Sequence, residues 1–366
     1  DSHNCAVRTD GRAFCWGLNG FGQVGNGSTS FQVLRPTAVV GGLSFRQVSA
    51  GAYHTCGVTT DNRAYCWGLG GHLGDGTSMN RLRPTLVAGG LLFRQVSAGP
   101  EHSCGVTTDD RAYCWGDNVF GQLGDGSTGQ IGYPVLSPVA VMGTRRFRRV
   151  TVGAYHSCGV TFSNRAFCWG GDQWGQLGDG PASGTCQVSF NTLPCRKTPT
   201  QVAGGYQWRQ VEAGGGGGPA EDVPEPVKGG RTCGTTMDDR AFCWGDGTLG
   251  QNGDGARAFR TAPSQVAGDR PYRLAATGFW HSCALTTDNR AYCWGMNHFG
   301  QIGDGTEGTM RVRPRAVLGG HLFDQVSAGN ASTCARTMSG AAYCWGFYVG
   351  NGTDDNYLTP QPVGGS

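Results

Sequence analysis

Apolar and polar positions in this chain alternate with a period of two, in short runs that glycine or aspartate interrupts. In Gly57-Val58-Thr59, Thr60-Asp61-Asn62 and Arg63-Ala64-Tyr65, β-favouring flanks enclose a polar turn, which predicts a β-hairpin. Folding it about Asp61 places Cys56 opposite Cys66 and Val58 opposite Ala64. Two further runs read as strands, Phe93-Arg94-Gln95-Val96-Ser97-Ala98 and the Arg-Pro-x-x-Val segment Arg83-Pro84-Thr85-Leu86-Val87. Helical periodicity has almost no place.

The hairpin recurs. A cysteine, nine residues and Cys-Trp-Gly occur seven times. The pairs are Cys5 with Cys15, Cys56 with Cys66, Cys104 with Cys114, Cys158 with Cys168, Cys233 with Cys243, Cys283 with Cys293 and Cys334 with Cys344. The tryptophans that follow, at 16, 67, 115, 169, 244, 294 and 345, are about 50 residues apart, with one longer step. Each module reads as four strands: A (Arg-Pro-x-x-Val), B (Phe-Arg-Gln-Val-Ser-Ala), C (from His-x-Cys) and D (to Cys-Trp-Gly). Such arrays fold as rings or solenoids, and four-stranded units with glycine-rich turns describe a propeller. The expected fold is all-β: a seven-bladed β-propeller of four-stranded antiparallel blades, a single domain over residues 1–366.

Cysteines directly opposed on antiparallel strands lie about 4.5–5.5 Å apart at Cα, within reach of a disulfide. Each blade is therefore expected to carry one. The other two of the 16 cysteines, Cys186 and Cys195, sit in one insertion and are expected to form an eighth bridge. Metal binding is the rival reading, because His3, His54, His102, His156 and His281 each precede a cysteine by two residues. Two copies carry Arg231 and Ser332 there yet keep both cysteines, which favours disulfides, and structural zinc usually uses close Cys-x-x-Cys pairs. The histidines are read as hydrogen-bonding strand residues.

Strands A, C and D occur seven times and strand B six. The chain starts on a C strand and ends on an A strand, so the closing blade is expected to combine both termini and to lack one strand. Three explanations stay open: a strand supplied upstream of Asp1, a blade of three strands, or completion by a neighbouring molecule, since an unpaired strand edge is a template for another chain and head-to-tail repetition of such a contact builds a filament or tube.

Paired cysteines imply an oxidising compartment, so the protein is expected to be secreted or at a cell surface, as a mature form without its leader. No apolar run reaches the roughly 18 residues of a membrane helix. A net charge of +3 over 366 residues argues against a nucleic-acid surface. Arginines recurring at one hairpin position (Arg12, Arg63, Arg111, Arg165, Arg240, Arg290) are read as partners of the turn aspartate. No nucleophile elbow, phosphate loop or calcium loop is present, so an enzyme, a cofactor and a small-molecule substrate are not expected.

Variation concentrates on the face that carries the B–C and D–A loops. Tyr53, Tyr155, Trp174 and Trp280 are candidate protein-binding residues there, because interface centres favour aromatics. Two insertions reach the same face: residues 181–197, with Cys186 and Cys195, and residues 215–230. In the second, Glu221, Asp222 and Glu225 make an acidic arm between glycines and prolines, a further candidate contact.

The Trp-Gly-x-Asn-x-x-Gly-Gln-Leu-Gly-Asp-Gly pattern at residues 115–126, with near forms at 16–27 and 294–305, resembles the repeat of the regulator of chromosome condensation family. That resemblance, which covers nearly the whole chain, implies a seven-bladed propeller and, with a cysteine pair per blade, a secreted bacterial-type member. The second copy shortens the pattern to Gly71-His72-Leu73-Gly74-Asp75-Gly76, and the last to Gly350-Asn351-Gly352. One bacterial branch inhibits β-lactamase and nuclear members exchange nucleotide on a small GTPase; disulfides argue against the second role. Two uses remain open. One is a disulfide-stapled extracellular scaffold that polymerises with itself. The other is a secreted module, an inhibitor or adhesin, that binds a protein through its aromatic loops.

Overall fold

The computed structural model describes residues 3–181, 184–188, 190–215 and 229–364, and these form an all-β propeller of seven blades. The first blade contains β1 (His3–Val7), β2 (Ala13–Leu18) and β3 (Gln32–Ala38). The second contains β4 (Phe45–Ala50), β5 (His54–Thr59), β6 (Ala64–Gly68) and β7 (Arg81–Leu86), paired in that order and antiparallel throughout. Blades three, six and seven repeat the second, blade five does so with a longer first strand, and blade four adds a fifth strand.

Pairing follows the hairpin geometry, with Cys56 opposite Cys66 and Val58 opposite Ala64. All seven expected blade bridges form, each with its Cα atoms 4.0–4.1 Å apart. Around the ring, Cys5 bonds to Cys15, Cys56 to Cys66, Cys104 to Cys114 and Cys158 to Cys168. The remaining blades join Cys233 to Cys243, Cys283 to Cys293 and Cys334 to Cys344. Cys186 and Cys195 make the eighth bridge, with their Cα atoms 5.7 Å apart. The blade pairs are closer at Cα than the 4.5–5.5 Å of an ordinary opposed pair, because the bond itself draws the two strands together. The turn arginines pair with aspartate as expected at Arg12–Asp10, Arg63–Asp61, Arg111–Asp109, Arg240–Asp238 and Arg290–Asp288.

The grouping of strands differs from the sequence reading. The Arg-Pro strand belongs to the blade of the Cys-Trp-Gly strand before it, where it forms the outer edge. Proline explains this placement. It has no N–H to donate and is tolerated at an edge, not inside a sheet. The chain ends consequently do not share a blade: β1–β3 form one sheet, and residues 323–362 form the next around the ring. Among the described residues the blade with three strands is the first, and its place without a strand is the one next to the axis. In the other blades that place belongs to Phe45–Ala50, Phe93–Ala98, Phe147–Val152, Trp208–Gly215, Tyr272–Thr277 and Phe323–Ala328, whose ends line a central channel.

Among the described residues the core is divided into seven clusters. Apolar side chains bury themselves between neighbouring blades: Val58, Leu73 and Val87 of the second pack with Phe93, Val96 and Trp115 of the third. The seven Cys-Trp-Gly tryptophans are 0–3% exposed.

Candidate functional site

Each junction between blades has two tiers, a buried lower one and a partly exposed upper one. In the lower tier a glycine of the Gly-x-x-Gly loop lies flat against the next blade's tryptophan. A Cβ on Gly25 would sit 2.6 Å from the Trp67 indole nitrogen. The last blade repeats this contact on the first: a Cβ on Gly350 would sit 2.6 Å from that of Trp16. Gly352 N–H also donates to the Leu34 carbonyl at 3.0 Å, so the described residues close the ring. At five junctions the indole N–H donates across the boundary, as from Trp67 to the Gln23 carbonyl at 2.9 Å.

Histidine completes the lower tier. His3, His54, His102, His156 and His281 reach Thr55, Ser103, Ser157, Thr232 and Thr333 of the following blade at 2.7–2.9 Å. All five are buried, and burial disfavours the imidazolium, lowering His156 and His281 to about 3. Arg231 takes over at the fifth blade, donating to Ser282 and to the Gly278, Phe279 and His281 carbonyls. The histidines are therefore hydrogen-bonding strand residues, as expected from the copies that lose the histidine and keep both cysteines.

The upper tier is the loop face. Phe21 of the first blade meets Tyr53 of the second edge to face at 5.7 Å, and Phe299 of the sixth stacks on Phe347 of the seventh at 5.9 Å. Most extended is Phe120–Tyr155–Trp174, with centroids 5.1 and 6.5 Å apart over the third and fourth blades. These rings clasp neighbouring blades and remain partly exposed. Edge-to-face and offset pairs are worth about 0.5–1.5 kcal/mol beyond burial, so the rim is preorganised.

Three of the four aromatic candidates, Tyr53, Tyr155 and Trp174, lie on this rim. Trp280 is only 7% exposed and is corrected to a packing residue: its loop is clamped by the Arg231 bonds to the Phe279 and Gly278 carbonyls. Glu221, Asp222 and Glu225 fall outside the described residues. The first insertion forms a hairpin of Thr185–Val188 and Asn191–Gln201 on the fourth blade, closed by the bond between Cys186 and Cys195. Phe190 is fully exposed at its tip. Asp179 and Arg196 form a buried ion pair at its base, 2.7 Å apart. Sequence reasoning missed Phe190, because insertion length carries no burial signal.

A second cluster escaped it as well. His72, Glu101 and Asp117 meet where the second and third blades join, with one ligand atom from each within 4.8 Å of the others. These are the described residues that could hold a metal. Burial, then the neighbouring Asp117, pushes the Glu101 carboxyl up to about 7. Burial opposes ionisation of Asp117, but His72 and Glu101 beside it outweigh that and hold it below its usual range. A signal was available, since His72 replaces the glutamine of five other copies and Glu101 is the one acid at its position.

Residues 10–58, 109–160 and 288–336 match one model of the regulator of chromosome condensation (RCC1) repeat, and residues 45–72, 93–122, 147–176 and 274–301 match another. Together these segments exceed half of the chain. The chain belongs to the RCC1 repeat family. Among RCC1-type relatives is the ultraviolet-B receptor UVR8 of Arabidopsis thaliana, 28% identical over 271 residues, or 73% of this chain and 56% of that protein. The chain thus spans about half of that relative's length. Human WBSCR16 superposes with a TM-score of 0.79 at 19% identity, over 97% of this chain and 94% of its own. Prp20p of Saccharomyces cerevisiae superposes with a TM-score of 0.77 at 22% identity, over 98% and 87%. Both likenesses establish the fold alone.

Proposed function

We propose that this chain is a binding module of an oxidising, extracellular compartment and that its loop face receives a protein partner. It acts by binding, not by catalysis. The observation that carries this reading is the run Phe120–Tyr155–Trp174, an aromatic strip held across two blades yet partly exposed. Ordered aromatic side chains lose little entropy on binding and dominate interface energetics. Phe190, on a disulfide-closed hairpin beside the strip, adds a second anchor. Among RCC1 propellers, Prp20p is described by its binding to Gsp1p and histones, so the fold suits protein recognition. A disulfide in every blade suits a compartment without reductants.

A photo-crosslinking residue at position 174 tests the assignment, with one at position 61, on the opposite face, as control. Protein adducts should form from 174 and fall when Tyr155 is replaced by alanine. Equal adducts from both positions, or none from 174, would refute it.

A second reading, a self-assembling scaffold, rests on one observation: among the described residues the axial edge of β1 pairs with no strand. A strand that completes the first blade could come from the same polypeptide or from a neighbouring copy. Size-exclusion chromatography and negative-stain imaging separate the two, because trans completion requires concentration-dependent polymers.

A further inference from the structure

The seven modules act as internal references for one another, and the junction of the second and third blades departs from them at His72 and Glu101 together, with Asp117 beside both. Where the second blade has His72, five others have Gln23, Gln122, Gln176, Gln251 and Gln301. Each of those glutamines accepts from the backbone N–H two residues before it at 2.6–3.0 Å, which pins its own loop. His72 has no such role: its Nε2 lies 3.8 Å from Asp117 Oδ1, beyond hydrogen-bonding length. Where the third blade has Glu101, its counterparts are the aromatics Tyr53, Tyr155 and Trp280, along with Ser2, Gly230 and Ala331; no other blade carries an acid there. Asp117 takes a place filled elsewhere by Leu18, Leu69, Met296 and Phe347, by Gly171 and by one other acid, Asp246.

We propose that His72, Glu101 and Asp117 form a site for a divalent transition-metal cation that bridges the second and third blades. The donors suit it: one imidazole nitrogen and two carboxylates are ligands that zinc accepts, with a fourth position left for water. Backbone bonds hold the three in place. Asp117 N–H donates to the Glu101 carbonyl at 2.9 Å, and Ser103 Oγ donates to the His72 carbonyl at 3.4 Å. Two half-buried carboxylates this close repel one another once both are ionised, and a dication removes that repulsion. All 16 cysteines are in disulfides, so no thiolate competes for the ion.

Zinc chloride titrated into chelator-stripped full-length protein, without reductant, tests the site by calorimetry. One zinc per chain is expected. His72→Gln and Glu101→Tyr each restore what other blades carry and so should fold; each is expected to weaken binding by about 100-fold, the scale on which ligand-shell losses act. His298→Gln, at an exposed histidine elsewhere on the loop face, should leave affinity and stoichiometry unchanged. X-ray absorption of the wild-type complex should show a nitrogen and oxygen shell with an imidazole contribution, a readout that does not depend on any variant folding. Absence of stoichiometric binding, undiminished binding in a folded His72→Gln protein, loss in His298→Gln instead, or a shell without imidazole would each overturn the proposal.

Discussion

The lower and upper tiers of a blade junction are built from the same loops, yet the lower tier is nearly invariant around the ring and the upper tier is not. Seven tryptophans face seven glycines, and five histidines face five hydroxyls. In the upper tier stand Phe21 and Tyr53 at one junction, His72 and Glu101 at the next, and Phe120, Tyr155 and Trp174 at a third. What separates the tiers is who satisfies each group. Each of the five buried imidazoles and five of the seven buried indoles finds a hydrogen-bond partner in the neighbouring blade, so both residues are constrained together. A rim side chain can be satisfied by water and is free to change. The division predicts that stability lives below and recognition above.

Removing the disulfides is the largest test of the lower tier. Each blade bridge closes a loop of about ten residues, worth roughly 2–3 kcal/mol in the loop-entropy model, and the seven lie in separate blades. Strong reductant should lower Tm by at least about 15 °C in calorimetry. An unchanged melt would show that packing between blades suffices alone. Next comes Trp67→Ala, which removes an indole that is 0% exposed and bonded to the Gln23 carbonyl. A loss of about 3–5 kcal/mol is expected in guanidinium unfolding, as for large buried aromatics. Trp174→Ala, of the same chemistry on the rim, should cost less than about 1 kcal/mol. Comparable costs would dissolve the distinction.

Most of the lower tier was legible in the sequence and little of the upper tier was. Cys56 and Cys66 could be paired from strand geometry because hairpin register depends on the turn alone. The same register carried over to every copy, from Cys5 with Cys15 to Cys334 with Cys344. The histidine at position 54 could be separated from a metal ligand because Arg231 and Ser332 replace it where the cysteines remain. Blade boundaries were misassigned for a physical reason: the alternation of Arg83–Val87 states that a strand exists, not which neighbour it joins. Proline at 84 held the missing clue, since only an edge accommodates it. Trp280 was misplaced because its exposure depends on Arg231, which is 49 positions away in sequence (280 less 231) and adjacent in space.

Acid probes the lower tier more gently. The folded state holds His156 neutral, with its pKa lowered by burial to about 3, whereas the unfolded chain protonates it near 6.5. Below pH 6.5 the unfolded state therefore binds the extra proton, and stability falls as pH drops towards the folded value. One such group contributes a slope of about 1.4 kcal/mol per pH unit across that window. Unfolding of wild type and of His156→Gln at about pH 7.5, 6.0 and 5.0 isolates it: the variant's stability should fall less steeply by about that amount. Parallel curves would mean that His156 titrates normally and that its bond to Thr232 does not hold it neutral.

The smallest expected effect belongs to the face opposite the rim. Arg63 pairs with Asp61 at 3.4 Å, but both side chains are more than half exposed. Solvent and salt screen such a pair, and exposed pairs contribute between nothing and about 1 kcal/mol. Arg63→Ala should leave the unfolding midpoint unchanged and leave partner capture intact. Trp174→Ala should move stability little as well, yet weaken capture about tenfold or more. The informative comparison is thus between two variants that are alike in stability and unlike in binding. Should Arg63→Ala weaken capture as much as Trp174→Ala does, the monotonous turn face would be part of the interface and recognition would not be confined to the upper tier.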